Sequence, residues 1–412
     1  MTKKKIAVIG GGASGIITGY LLSENYDITI YEKQSILGGN VRTLNKNVLD
    51  TKLPSHLNIE NGVLGFSQNY YPNFHKLLEH LEVPYHGYKP SISLFSSQHF
   101  YPARSKSFLN LASLYNVITK KKHFLELLKF GHSHKVFNSQ IANSTNTNLT
   151  FNDFKFSQDL YKNYMQALFM LSFSTPFSLV SQLPQSILNP YFLSLPNSKW
   201  SFIKNGVFTY IETILRKSKM QVICNAKNIK LTRNTKGISL KINKEERLYD
   251  AIVIATTPGS VKKILMDMSN LENKIFNDWD DQNFKTIAHT DLSFYKDYKN
   301  VEKTPMDLFY KFRNSTIGYN TYQNTVYKLQ TKDHYSFAYN LDKNISKKSI
   351  LHNANHKVPR YCSNYDSKIK LLHKINGHKN TYYAGAYIYN GLHEGAVESA
   401  LNISSKLGGI QL

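Results

Sequence analysis

Cysteine is nearly absent: the 412 residues include only Cys224 and Cys362, far apart and without neighbours at metal-ligand spacing. This argues against a disulfide framework and a zinc site, and it suits a reducing cytoplasm. Arginine is scarce too. Only seven of the 51 basic residues are arginine, the rest being lysines spread along the chain and interleaved with asparagine. A net charge of +23 attracts polyanions at long range, but base readout and phosphate forks favour arginine. The composition therefore reads as a solvated lysine surface, with peripheral attraction to anionic membrane as the alternative, and it disfavours nucleic acid. Long apolar runs are missing as well. Lys3 to Lys5 followed by Ile6 to Leu22 has the outline of a signal peptide, yet glycines 10, 11, 12 and 15 occupy its centre and no small-residue cleavage site follows. The stretch from Met165 to Leu195 is interrupted by Pro176, Pro184 and Pro190, so no spanning helix of about 20 apolar residues is expected.

What is present suffices for a large core. Hydrophobic residues make up 41% and aromatics 13%, unlike a disordered chain, and the length exceeds what one core usually supports. The pattern near the N-terminus is β-α-β: an apolar strand at Ile6 to Ile9, a glycine turn, a helix from Ser14 to Ser23, and a second strand at Ile28 to Tyr31. Further on, Pro72 to Leu81 and Phe124 to Phe130 read as helical and Asn138 to Asn148 as a loop. Strands are expected at Gln221 to Cys224, at Ile229 to Thr232 paired with Gly237 to Ile242, and at Ala251 to Ala255. Alternating aromatics from Asn283 to Tyr339 suggest more strands, Tyr382 to Ala386 a last strand, and Ala396 to Leu407 a last helix.

The strongest chemical signal is Gly10-x-Gly12-x-x-Gly15 with Glu32 closing the next strand. In a strand-turn-helix context the glycines allow a tight turn, close approach of backbone to a pyrophosphate, and close helix packing, while the helix N-terminus faces the anion. Glu32 is placed to accept hydrogen bonds from an adenosine ribose. A second glycine pair, Gly38 and Gly39, and Arg42 follow at once. Arginine's parallel donors suit a diphosphate, which favours FAD over NAD. A second cluster runs from Tyr383 through Gly385, Gly391, His393, Glu394 and Gly395 to Ala396. It reads as strand, loop and helix, with a helix opening that points positive dipole at a ligand.

Together these residues resemble the flavin-dependent amine oxidase superfamily, and within it a bacterial group of NAD/FAD-binding flavoproteins associated with cyclopropane-fatty-acid synthases. The resemblance rests on Ile6 to Gly15 with Glu32; Leu37 to Arg42; Ile59-Glu60-Asn61-Gly62 and Tyr71-Pro72-Asn73-Phe74; Trp200 through Gly206 to Tyr210; Asp250 to Ala255; His289-Thr290-Asp291; and Tyr383 to Ala400. It departs from that pattern at three places: Glu60 stands for an Asp, Asn205-Gly206 for a Gly-Gly pair, and His393-Glu394-Gly395 is one residue short of a His-Glu-Asp-Gly run. The resemblance implies an α/β fold, with a discontinuous Rossmann-like FAD-binding domain of the two-dinucleotide type (1–75, 200–282 and 375–412) and an interleaved α+β substrate domain (76–199 and 283–374). It implies FAD contacts from Gly10, Gly12, Ala13, Ser14, Gly15, Glu32, Lys33, Gly38, Gly39, Asn40, Arg42, Gly62, Gly385, Glu394 and Ala396, and no metal.

The expected chemistry is hydride transfer from an apolar, fatty-acyl or isoprenoid, substrate to flavin N5. Tyr164 to Leu195, rich in Phe, Leu and Met, reads either as its channel or as ordinary core. His289, Asp291 and His393 are the acid/base candidates, and Tyr383, Tyr387 and Tyr389 are available to flank an amine. Two rival readings share every motif: a flavin-dependent lipid isomerase, and a non-catalytic flavoprotein partner of a lipid-modifying methyltransferase.

Overall fold

The computed structural model describes residues 2–49, 51–88, 90–96, 100–101, 121–142, 149–195, 198–235, 237–296, 298, 303–312, 315–361 and 364–412. Its organising element is a five-stranded parallel sheet in the order 381–383, 251–254, 5–9, 27–31, 221–223. The strands at 5–9 and 251–254 are short continuous apolar runs, buried along nearly their whole length, as strands covered on both faces must be. The helix Ala13–Leu22 packs on this sheet and beside the last helix, His393–Leu407. Nine of its ten residues are buried, which explains why it shows no polar face.

A second sheet of seven strands, in the order 350–359, 281–289, 336–339, 315–322, 306–312, 92–96, 100–101, is antiparallel except where 92–96 pairs with 306–312. Two three-stranded sheets, 230–234/237–242/245–249 and 66–67/200–203/85–88, and a helical layer of 121–142, 159–173 and 185–194 complete the architecture. No helix among the described residues is long and apolar enough to cross a membrane.

Most expected elements appear within a residue or two; four differences have physical causes. Half of the strand Ile350–Pro359 is His, Asn and Lys, residues other than the usual strand formers, and it forms by pairing along all of 281–289. The charged strand Glu245–Tyr249 is likewise held by its partner 237–242. The last strand ends at Tyr383, and Ala386–Ile388 turns as a 3-10 segment, so the final helix opens at His393 instead of Ala396. The helix Lys121–Ala142 runs through the first half of the expected loop; residues 143–148 and Cys362 lie outside the described residues.

Candidate functional site

A cavity of about 740 Å³ opens at the carboxyl end of the parallel sheet and extends to the face of the seven-stranded one. It lies within the range of roughly 300–1,000 Å³ common to ligand sites. The carboxyl ends of strands flanking a switch in connection order are where open α/β sheets bind ligands. Here the strand 5–9 is flanked by 27–31 on one side and 251–254 on the other.

The nucleotide end is made largely of backbone. Gly15 allows its helix to seat, since a Cβ there would lie 2.0 Å from the carbonyl oxygen of Gly10. Gly12 differs: a Cβ would meet nothing nearer than Gly39 Cα at 3.6 Å, an ordinary van der Waals contact, so the backbone would not have to shift. Gly38 N–H donates to Gly11 O at 2.8 Å, which joins the two glycine turns. The N-terminus of Ala13–Leu22 has no side-chain cap, leaving orphan N–H groups of the kind that bind anions.

Glu32 is buried and lines the cavity. Its Oε2 accepts from Gly11 N–H at 2.7 Å and its Oε1 from Gln34 N–H at 2.8 Å. A carboxylate offers about four acceptor positions, so two hydrogen bonds fix its orientation and leave capacity for hydroxyl donors. Arg42 is also buried against the cavity, donating to Val41 O at 3.0 Å and Gln34 Oε1 at 2.8 Å. It makes no ion pair among the described residues. Burial lowers its pKa, with the Glu32 charge opposing. A buried guanidinium with spare donors and no bonded counter-ion is a site for an anion. The glycine cradle, the uncapped helix and Arg42 together fit a diphosphate, and Glu32 fits its ribose. Lys33, Gly10, Ala13, Ser14, Gly38, Gly39, Asn40, Gly62, Gly385 and Ala396 also line this cavity.

Glu394 does not line the cavity. Its oxygens accept from Asn73 N–H, Asn73 Nδ2 and Phe74 N–H at 2.8–2.9 Å, capping the helix Pro72–His80. The motifs Tyr71–Phe74 and His393–Ala396 are therefore coupled by a helix cap. Gly15 likewise packs behind the turn. Glu60 is fully buried beyond the cavity wall, where Thr43 Oγ1, Val207 N–H and Tyr327 OH donate to it. Burial is the dominant cause of its pKa near 8. Gly206, with φ +93°, turns the chain so that Val207 meets that carboxylate; a Cβ there would strike Thr43 Cγ2 at 2.4 Å.

The acid/base candidates divide. His289 is wholly buried away from the cavity, bonded through Nε2 to Asn320 Oδ1 at 2.9 Å, and burial holds its pKa at about 4. Asp291 accepts from Ser293 and Ser346 N–H groups and so braces a turn. Neither belongs to the site. His393 does line the cavity, but burial lowers it to about 3, and Tyr210 OH lies 2.8 Å from Nε2. It is a neutral ring near pH 7. Of the three tyrosines available to flank an amine, only Tyr387 lines the cavity; Tyr383 OH donates to Glu272 at 2.6 Å and Tyr389 packs on His373.

Several cavity groups carry no sequence signal. His356, which burial and the Arg42 charge hold at about 4, and Lys357, paired with Asp281 at 2.9 Å, come from the polar strand 350–359. Thr256 and Thr257 could have been found from their position, just past the end of a buried parallel strand. From Tyr164 to Leu195, only Leu171, Ser172, Phe173, Ser174 and Tyr191 reach the cavity; Phe169, Met170, Val180 and Leu188 are core.

Residues 8–81 match the NAD(P)-binding Rossmann-like domain. No curated protein sequence matches the chain. Among solved structures it is similar to the CLA-producing fatty acid isomerase from P. acnes, with a TM-score of 0.68 and 12% identity over 98% of each chain. It is similar to cyclohexylamine oxidase from Brevibacterium oxydans IH-35A, with a TM-score of 0.65 and 12% identity over 98% of this chain and 100% of that one. Putrescine oxidase bound to putrescine gives a TM-score of 0.62 and 10% identity over 98% and 99%. At such identities the likeness shows the fold: this chain adopts, end to end, the fold shared by those enzymes.

Proposed function

We propose that this protein is an FAD-dependent oxidoreductase that takes hydride from a C–H bond of an apolar substrate. The observation that carries this reading is Arg42, a buried cation without a bonded counter-ion among the described residues, set beside a glycine cradle and an uncapped helix. Fold relatives that include cyclohexylamine and putrescine oxidases support it.

When bound, FAD supplies the acceptor for hydride. The chain's residues do the rest. The helix Ala13–Leu22 and Arg42 would hold its diphosphate, and Glu32 would orient its ribose. Trp200, Phe202, Phe284, Tyr319 and Phe337 wall the far end, and such an apolar surround strengthens electrostatic interactions inside. Neutral His393, oriented by Tyr210, meets the cavity from the start of the last helix without adding charge. The association with cyclopropane-fatty-acid synthases belongs to this proposal as the source of an acyl substrate. Anaerobic incubation of the FAD-loaded protein with acyl lipid extracts is expected to bleach the flavin absorbance; persistence of the full yellow spectrum counts against the reading.

The likeness to a fatty acid isomerase favours a second reading, in which hydride leaves and returns to the same molecule. Turnover that continues without any electron acceptor would select it.

A further inference from the structure

The charged residues along the cavity are unevenly distributed. Lys33, Arg42, Lys230, Lys263 and Lys357 all line it, whereas Glu32 is the only carboxylate among the described lining residues. Glu32 sits at the nucleotide end, already bonded to two backbone N–H groups. Glu394 and Glu398 lie behind the wall near Tyr70, but neither lines the cavity and Glu394 is committed to the helix cap.

Among the described residues, an ammonium group in the aromatic end would find no lining carboxylate to pair with, beside lining cations of its own sign. Besides Asn355, His356 and Lys357, this end offers hydroxyls: Tyr71, Tyr361, and Tyr191 with Ser172 donating to it at 2.8 Å. Such groups donate to and accept from an oxygen function. Resting on the oxidoreductase reading, we infer that the substrate is an apolar molecule that carries an oxygen function and no protonatable nitrogen. This separates the chain from the amine oxidases whose fold it shares.

The test titrates FAD-loaded protein with lauryl alcohol, laurate and laurylamine, reading affinity from the perturbed flavin spectrum. At least one oxygen-bearing probe is expected to bind about tenfold or more tighter than the amine. Protein that takes up no FAD overturns the oxidoreductase reading and this inference with it. FAD-loaded protein that binds laurylamine as tightly as the others, or binds none of the three, overturns the inference alone. Tyr361→Phe is expected to weaken the favoured oxygen probe several-fold while FAD content and the affinity for laurylamine stay unchanged; equal losses for all three probes would show packing alone and overturn the role given to the hydroxyl.

Discussion

At the nucleotide end of the cavity the ligand-facing groups come mainly from a short run of chain, Gly10 to Arg42, and many are backbone atoms. At the aromatic end they are side chains drawn from 62–90, 171–200, 284–337 and 355–361. A backbone site depends on glycines, which leave a readable spacing. A side-chain site depends on tertiary packing of ordinary aromatics, which are common throughout this sequence. The two ends are therefore expected to respond differently to mutation.

The sharpest contrast lies within the glycine turn. Gly15→Val places its Cβ 2.0 Å from Gly10 O, and the backbone at the sheet must shift. It is expected to yield little folded protein, an effect beyond the roughly 1–3 kcal/mol of usual overpacking, as measured by soluble yield and thermal melting. Gly12→Val leaves the helix and sheet contacts intact but fills the cradle. It is expected to fold while losing FAD affinity roughly 100-fold, about 2.7 kcal/mol. Equal behaviour of the two variants would erase the distinction between packing glycine and binding glycine.

Away from the cavity, Arg233 pairs with Glu272 at 2.7 Å and Asp267 at 2.8 Å, with Arg233 and Glu272 both buried. Arg233→Ala strands Glu272 and is expected to cost about 3–5 kcal/mol of stability without changing FAD affinity, as judged by denaturant unfolding and cofactor titration. Arg42→Ala is expected to show the converse: cofactor binding weaker by about 1.5–3 kcal/mol, the worth of charged hydrogen bonds, with unfolding of the cofactor-free protein little altered.

The smallest effect concerns pH. Burial holds His289 and His356 near 4 and His393 near 3, below the unfolded value of about 6.5. The unfolded chain binds more protons in that window, so this contribution to stability is present above about 6.5 and is lost as pH falls toward 4. Glu60, raised to about 8, acts oppositely: its contribution is present below about 4.5 and fades as pH rises toward 8. Replacing Glu60 with Gln is expected to steepen the rise in melting temperature between pH 5 and 7; an unchanged slope would place the proton elsewhere.

How much was legible follows from the same contrast. The strand-turn-helix at 5–31 was readable because its apolar runs and glycine spacing are local. Glu32 and Arg42 were readable because they sit beside it. The capping role of Glu394 was not, since it depends on Asn73 and Phe74, more than 300 residues away. His289 looked like a catalytic candidate because a histidine next to Thr-Asp carries no mark of burial. The strand 350–359 hid because its partner, and not its composition, makes it a strand.

An adenosine diphosphate moiety would rest between the two glycine turns with Arg42 against its phosphates. The most direct measurement is cofactor stoichiometry of the purified protein after incubation with micromolar FAD, read from visible absorbance. A yellow protein holding one FAD per chain is expected; a colourless protein, folded by its melting curve yet unable to take up the cofactor, would rule this binding mode out.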